Sequence, residues 1–183
     1  AAVSGGAMTL LETQTASSSS TISFTSGIDS TYDEYVFKFI NIHPATNNAS
    51  FKFNMSIDAG SNYNVTKTTT FFQAAHREDG SGGGVSYEAS QDLAQGTGVQ
   101  TLIADVGNGN DECGSGCLYL FNPSNTTFVK NFISVGSNYN GDDYVNNPFS
   151  AGYANTTSAV DAIQFSMSSG NIDSGVIKLY GIS

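Results

Sequence analysis

The run Phe51-Lys52-Phe53-Asn54-Met55-Ser56-Ile57-Asp58 alternates apolar and polar residues one by one. A period of two places successive side chains on opposite faces of an extended chain, so this run predicts a strand with one buried face. The turn residues Ala59-Gly60-Ser61-Asn62 follow it directly. Near the end of the chain, Ile163-Gln164-Phe165-Ser166-Met167-Ser168 alternates in the same way. Both patterns are typical of β-sheets that are half exposed to water.

Working outward from this run, about a dozen short strands are predicted. In the run 35–42 the apolar positions are odd up to Phe39 and even from Ile40, which predicts a β-bulge or a strand covered on both faces. Only residues 92–95 could support a helical turn. Many short strands with turn residues between them favour an all-β fold, an antiparallel β-sandwich of jelly-roll type. The further predicted strands are 9–15, 21–25, 66–75, 85–89, 99–106, 118–121, 127–135, 145–153 and 176–180.

The length and composition fit a single sandwich domain spanning 1–183. Only 12% of the residues are charged, whereas nine Tyr and twelve Phe provide material for a core. The polar surface must therefore come from Ser, Thr, Asn and Gly. The segment 1–16 is a candidate docking arm or the end of an N-terminal anchor domain.

The charge balance excludes two classes of partner. Sixteen acidic residues against six basic ones give a net charge of −10, which repels nucleic-acid phosphates and anionic lipid surfaces. No run of 18 apolar residues is present, so the sequence predicts no membrane insertion.

One pentapeptide occurs twice, as Gly60-Ser61-Asn62-Tyr63-Asn64 and as Gly136-Ser137-Asn138-Tyr139-Asn140. One interpretation is a pair of surface loops that present Tyr to a sugar or to a protein. The other is a tight turn in which Gly and Asn adopt positive φ and Tyr packs nearby. The candidate contact residues are Asn62, Tyr63, Asn64, Asn138, Tyr139 and Asn140.

Cys113-Gly114-Ser115-Gly116-Cys117 is a second motif. A zinc site would require about four ligands, and the two histidines of the chain stand at no recognisable spacing from these cysteines. We expect a small disulfide between Cys113 and Cys117, because three small residues allow a tight loop. Two free thiols are the alternative if the protein matures in a reducing compartment.

The sequence predicts no catalytic, cofactor-binding or metal-ligating residue. A G-x-S-x-G nucleophile motif does not occur, and only His76-Arg77-Glu78-Asp79 brings ionisable groups together near a possible loop tip. Paired carboxylates for glycoside hydrolysis need not be close in sequence, so a glycan-degrading enzyme remains a third, weaker alternative.

Several segments in their order along the chain resemble a family of virion structural proteins of marine tailed bacteriophages. Among them are Leu120-Phe121-Asn122-Pro123-Ser124 and the first copy of the pentapeptide. The pair Cys113 and Cys117 departs from the family pattern, so its role is not inherited. The matching segments are 24–37, 41–44, 60–64, 120–124 and 169–182.

The resemblance implies a non-enzymatic protein on the surface of the virion, an extracellular particle assembled in the host cytoplasm. A capsid decoration or head-fibre protein is the first expectation, and its partners would be capsid or fibre subunits. The alternative is the receptor-binding distal domain of a tail fibre that recognises a glycan on the host surface. Either would form homo-oligomers, with a trimer favoured because fibres and knobs commonly have threefold symmetry.

Overall fold

A computed structural model describes residues 8–182, which form twelve β-strands connected by turns and loops. None of the described residues lies in a helix, so no helix there could cross a membrane. Residues 92–95, the only ones that could support a helical turn by their sequence, are not helical. The strands are β1 (Thr9–Ser19), β2 (Thr21–Phe24), β3 (Glu34–Pro44), β4 (Ala49–Ser56), β5 (Lys67–Arg77), β6 (Gly83–Tyr87), β7 (Gln100–Val106), β8 (Gly114–Phe121), β9 (Lys130–Tyr139), β10 (Tyr144–Ala154), β11 (Ala162–Met167) and β12 (Ile172–Ile182).

The strands build two antiparallel sheets. The larger has the order β1-β12-β3-β8-β9-β10-β5-β6 and the smaller the order β2-β11-β4-β7. Four pairings, β1 with β12, β2 with β11, β3 with β8 and β4 with β7, are nested along the chain. Such nesting arises when one long hairpin is rolled into two sheets, which is the jelly-roll topology. The predicted all-β sandwich is confirmed.

Two hairpins are added to this eight-stranded frame. The pair β5–β6 lies in the connection from β4 to β7, and the pair β9–β10 lies in the connection from β8 to β11. Both join the larger sheet beyond β8, where β10 pairs with β5. We call these four strands the extension.

The core between the two sheets is aromatic. Phe37 and Phe39 of β3 point toward Phe51 of β4 and Phe165 of β11, and all four side chains are at most 2% exposed. Phe165 contacts the other three rings with centroids 5.4–5.5 Å apart, in edge-on or stacked arrangements. Truncating a ring packed in this way typically costs about 3–5 kcal/mol. The alternation that predicted β4 and β11 therefore identifies the residues that hold the sheets together.

The change of phase in β3 is a β-bulge. The pairing of β3 with β8 shifts register between Phe39 and Ile42, and Asn41 adopts a φ of +51°. Ile40 and Asn41 are exposed, whereas Ile42 is buried again. The bulge inserts the extra residue that returns the apolar side chains to the core, which is the first of the two structures that the change of phase indicated.

The N-terminal segment belongs to the sandwich. Residues 9–16 are part of β1, which pairs with β12 from Thr9 opposite Gly181 to Ser19 opposite Ile172. Ala16 is buried in the core. Of the segment 1–16, suggested as a docking arm or the end of an anchor domain, residues 9–16 lie in an edge strand and residues 1–7 lie outside the described part of the chain, so that suggestion stays a prediction.

Candidate binding face

The extension buries polar side chains on the side that faces the smaller sheet. Lys130, Ser134 and Asn138 of β9, and Asn146 and Ser150 of β10, are at most 3% exposed. The amide of Asn138 donates to the carbonyl oxygens of Ala104 and Asp105 on β7, each at 3.1 Å. Ser134 Oγ donates to the carbonyl oxygen of Cys117 at 2.9 Å. The Asn138 bonds therefore join this half of the larger sheet to β7, beside the edge-on contact of Phe132 with Phe53 of β4, whose centroids are 5.1 Å apart.

Two lysines are enclosed on the same side. Lys67 Nζ donates to Asn54 Oδ1 at 2.5 Å and to the carbonyl oxygen of Val65 at 2.7 Å. Lys130 Nζ donates to the carbonyl oxygens of Phe128 and Thr156. Loss of water around the ammonium lowers the pKa of Lys67 to about 8 and also lowers the pKa of Lys130. Both side chains have 0% exposure.

The opposite surface of the extension, which we call the outer face, is apolar. One row of neighbouring side chains crosses five strands, each residue standing opposite the next in the strand register. The row consists of Cys117, Val135, Phe149, Phe72 and Tyr87. At its centre the rings of Phe149 and Phe72 stack with centroids 5.2 Å apart and planes within 3°.

The exposure of this face is high for its residue types. Phe72, Ile133 and Val145 are 42%, 46% and 49% exposed. No outward-facing position of these four described strands carries Asp, Glu, Lys or Arg, although the chain has a net charge of −10. Antiparallel sheets normally expose their polar face and bury their apolar one. The extension departs from this rule, because polar side chains are buried beside Phe71 and Phe132 on its inner side while Phe72 and Phe149 face water. A contiguous exposed apolar patch is typical of interaction surfaces.

A cleft of about 490 Å³ lies at one end of the outer face. His76 and Glu78 line it from β5 and the turn that follows, Cys113 and Ser115 from the start of β8, and Tyr139 from the end of β9. Tyr139 Oη donates to Asp143 Oδ1 at 3.2 Å. Partial burial in the cleft, helped by the Glu78 carboxylate and the bond to Asp143, raises the pKa of Tyr139 to about 12. The phenol is therefore a neutral hydrogen-bonding group flanked by carboxylates.

A second cleft of about 450 Å³ lies on the other side of the row. Its floor is formed by the small residues Ala151 and Gly152 of β10, between Ile133 and Thr70 on the neighbouring strands. Tyr153 closes it, and its hydroxyl accepts a bond from Gln95 Nε2. The outer face thus has a central ridge of stacked Phe rings with one hollow on each side.

The two pentapeptide copies have different structures. The first is a turn after β4 in which Gly60 has a φ of +81° and Asn62 donates to Asp58 through its backbone and its side chain. Tyr63 folds back over this turn, and its carbonyl oxygen accepts a bond from Asn54 Nδ2 at 2.6 Å. This copy matches the turn interpretation. Asn62 and Asn64 are exposed at this turn.

The second copy is mostly strand, so the prediction of two similar loops is wrong. Residues 136–139 belong to β9, where Asn138 is buried and Tyr139 faces the cleft. Asn140 Oδ1 accepts the N–H groups of Asp142 and Tyr144 and so shapes the turn into β10. Tyr63 and Tyr139 are associated with different sheets. Of the six candidate contact residues, Tyr139 and Asn138 line the cleft at the end of the outer face.

The predicted disulfide is contradicted by the structure, in which Cys113 and Cys117 are free. Residues 114–121 are extended as β8, and the backbone of Cys113 continues its ladder through a bond from the N–H of Tyr139. Four residues of extended strand separate the two Cα atoms by about 13 Å. A disulfide requires less than about 7 Å.

The acidic loop after β7 is held by its own side chains. The Glu112 carboxylate accepts the N–H of Gly109, and the amide of Asn108 donates to the carbonyl oxygen of Ala45. Within residues 8–182 no group of three His, Cys, Asp or Glu side chains is arranged to hold a metal ion.

Comparison of the chain with protein families, with curated proteins and with solved structures found no match.

Proposed function

We propose that this protein is a non-enzymatic structural component of a phage virion, exposed on the particle surface as a capsid decoration or head-fibre protein. The outer face is the surface that docks it onto another protein of the particle. The resemblance of segments such as 24–37 and 169–182 to phage virion proteins supports the virion assignment. The docking role rests on one observation, the reversed polarity of the extension.

The reversal is costly unless a partner covers the outer face. The extension buries Ser134, Asn146 and Ser150, whereas Phe72 and Phe149 stay in water. Each large apolar side chain left exposed forgoes about 1.5–3 kcal/mol of stabilisation that burial would provide. A docked protein would recover that free energy in the assembly. The extension is added to a complete jelly-roll frame, so the docking surface lies outside that frame, although Phe132 and Ala154 on the inner side of the extension belong to the core.

The matched substitutions Phe149→Glu and Phe128→Glu test the proposal. Both place a carboxylate on an exposed Phe, but Phe149 lies at the centre of the outer face and Phe128 lies in the loop before β9. Quantitative mass spectrometry of purified particles, referenced to the major capsid protein, should find the wild-type chain and Phe128→Glu in equal copy number. Phe149→Glu should be missing from the particles although it folds. Particles that lack the wild-type chain would refute the virion assignment, and normal incorporation of Phe149→Glu would refute docking through the outer face.

The cleft at Tyr139 favours a second candidate function, the receptor-binding domain of a tail fibre. An aromatic ring beside Ser137, His76 and Glu78 suits a sugar, which stacks on one face and hydrogen-bonds at its rim. Free protein would then bind host cells and block infection, and Tyr139→Ala would abolish both effects. A particle containing a few to a few dozen copies of the chain would favour this function over decoration.

A further inference from the structure

The end strand β6 is an open edge of the larger sheet. All five of its residues, Gly83-Gly84-Val85-Ser86-Tyr87, are exposed, and only β5 pairs with it among the described strands. The N–H of Arg77 donates to the carbonyl oxygen of Gly82, and the N–H of Glu88 donates to that of Phe71. Alternate residues of a strand direct their backbone N–H and C=O groups to opposite sides, so these groups of Gly84 and Ser86 also point toward β5. The N–H and C=O groups of Gly83, Val85 and Tyr87 therefore point away from the sheet.

The other three sheet edges carry features that prevent pairing with another strand. The edge strand β1 has a bulge between Leu10 and Glu12 and a charge at Glu12. The edge strand β2 has only four residues. The edge strand β7 has two register shifts against β4 and a φ of +52° at Asp105. Bulges, charges and short length are the usual means of protecting an edge, and β6 has no bulge, charge or proline along its five residues.

We infer that β6 pairs antiparallel with β6 of a second copy of this chain, which forms a twofold dimer with one continuous sheet. A twofold axis at Val85 places Val85 opposite Val85 of the second copy and Gly83 opposite Tyr87. The outward N–H and C=O groups of Gly83, Val85 and Tyr87 in one copy then form hydrogen bonds with those of Tyr87, Val85 and Gly83 in the other. On the outer face the ring of Tyr87 lies over a glycine, where no side chain obstructs it.

The charges also fit this arrangement. The same axis places Glu88 of one copy opposite Gly82 of the other, and Gly82 is itself paired with Arg77 on β5. Glu88 and Arg77 of the second copy then share one face of the joined sheet, two strands apart, at about 10 Å between backbones. Long side chains span that distance, and the symmetry produces the contact twice. Arg77 Nη1 also lies 3.3 Å from Asp79 Oδ2 of its own copy, so Glu88 of the other copy would be the second carboxylate beside this guanidinium.

This inference does not depend on the proposed function, because pairing at the edge uses the backbone groups of Gly83, Val85 and Tyr87, whereas the proposed docking centres on the side chains of Phe72 and Phe149. The side chains of Val85 and Tyr87 lie on the outer face, so Val85→Pro, which removes a backbone N–H, is the variant that tests the edge alone. The dimer would join two outer faces side by side. It would also differ from the trimer that the family resemblance implies.

Proline substitution separates pairing between copies from folding of one copy. Val85→Pro removes an N–H that points away from the sheet, whereas Ser86→Pro removes one that bonds to β5. We expect the wild-type chain to have the mass of a dimer in sedimentation and light-scattering measurements over a concentration series. Val85→Pro should be a monomer whose thermal midpoint equals that of the wild-type chain diluted until it is monomeric, because association raises the midpoint of the dimer. Ser86→Pro should have a lower midpoint than this, and Val85→Thr should remain a dimer. Val85→Lys, which leaves the backbone intact but places two ammonium groups together, should also be a monomer.

Amide hydrogen exchange gives an independent measurement on the wild-type chain. The amides of Val85 and Tyr87 should become protected as the concentration rises, while that of Ser86 should be protected throughout. A wild-type monomer over the whole concentration range, a trimer, or a Val85→Lys variant that remains dimeric would each overturn the inference.

Discussion

Phe72 and Phe149 stand directly opposite each other on adjacent strands of the larger sheet, and their rings stack in solvent with centroids 5.2 Å apart. Each ring shields one face of the other, yet Phe72 stays 42% and Phe149 37% exposed. The pair stabilises the extension without closing its surface. The exposed parts of the two stacked rings therefore remain available for contact with a partner.

This contact predicts an energetic coupling between the two residues. In a double-mutant cycle with Phe72→Ala and Phe149→Ala, we expect a coupling free energy of about 0.5–1.5 kcal/mol in urea unfolding. The matched cycle with Phe72→Ala and Ile133→Ala should be additive, because β10 separates these two residues. Additivity in the Phe pair would mean that the rings do not stack in solution.

The buried Lys67 predicts that stability rises with pH in the alkaline range. Below pH 8 its amine is protonated in both the folded and the unfolded chain, so the full cost of burying the charge is present. Between pH 8 and 10.5 only the unfolded chain keeps the proton, and the free energy of unfolding therefore rises with pH. The gain is on the order of 3 kcal/mol.

The substitution Lys67→Met should remove that gain. Chemical denaturation at a series of pH values, taken as the difference between wild type and Lys67→Met, isolates the contribution of this residue. Lys52→Met, at a half-buried position on β4, controls for the loss of one positive charge. Parallel pH profiles for wild type and Lys67→Met would show that the ammonium of Lys67 is not enclosed.

Two glycines with left-handed backbones provide a matched pair. Gly60 and Gly80 have φ values of +81° and +74°. A methyl group at Gly60 would lie 2.8 Å from the Tyr63 hydroxyl and 2.9 Å from Thr25, whereas none of the described atoms lies within 4 Å at Gly80. Both Ala variants pay the cost of the left-handed conformation, about 1–2 kcal/mol. Only Gly60→Ala should also lose stability through overpacking, by about 1 kcal/mol or more. Equal losses in urea unfolding would show that the Tyr63 ring moves aside freely.

The free thiols predict the outcome of alkylation. Unfolded, unreduced protein treated with iodoacetamide should gain two carbamidomethyl groups in its intact mass, because Cys113 and Cys117 are held apart by β8. The same sample treated with a reductant first should give the same mass. Uptake of both groups only after reduction would show that the two cysteines form a disulfide, which would contradict the extended structure at Cys113.

The fold could be predicted because the alternation of apolar and polar residues indicates directly which side chains of a strand are buried. Phe51, Phe53 and Met55 are all fully buried, and the change of phase at Ile40 marks the bulge. The sequence could not show that Asn54, at a polar position of the same strand, is buried as well. It is enclosed because Lys67 Nζ and the carbonyl oxygens of Tyr63 and Thr97 bond to it from later parts of the chain.

The outer face could be predicted only in part. The alternation of Val145, Phe149 and Ala151 identifies an apolar side of β10, but a period of two does not reveal which side faces the core. That depends on strand order, which places β10 between β5 and β9, the strand whose Asn138 bonds to β7. The second pentapeptide misled for a related reason. Its Gly and Asn predict a turn, and the turn comes only at Asn140, after the ladder of β9 has ended.

The pairing of β1 with β12 has a kinetic consequence. The first strand of the described chain pairs with the last, so the larger sheet closes only after β12 has been synthesised, more than 150 residues after β1. Contacts this distant in sequence slow folding. Until β12 arrives, β3 lacks its neighbour on one side and the Phe-rich interior stays open to other chains. Production of the folded protein should therefore be limited by aggregation of incomplete chains.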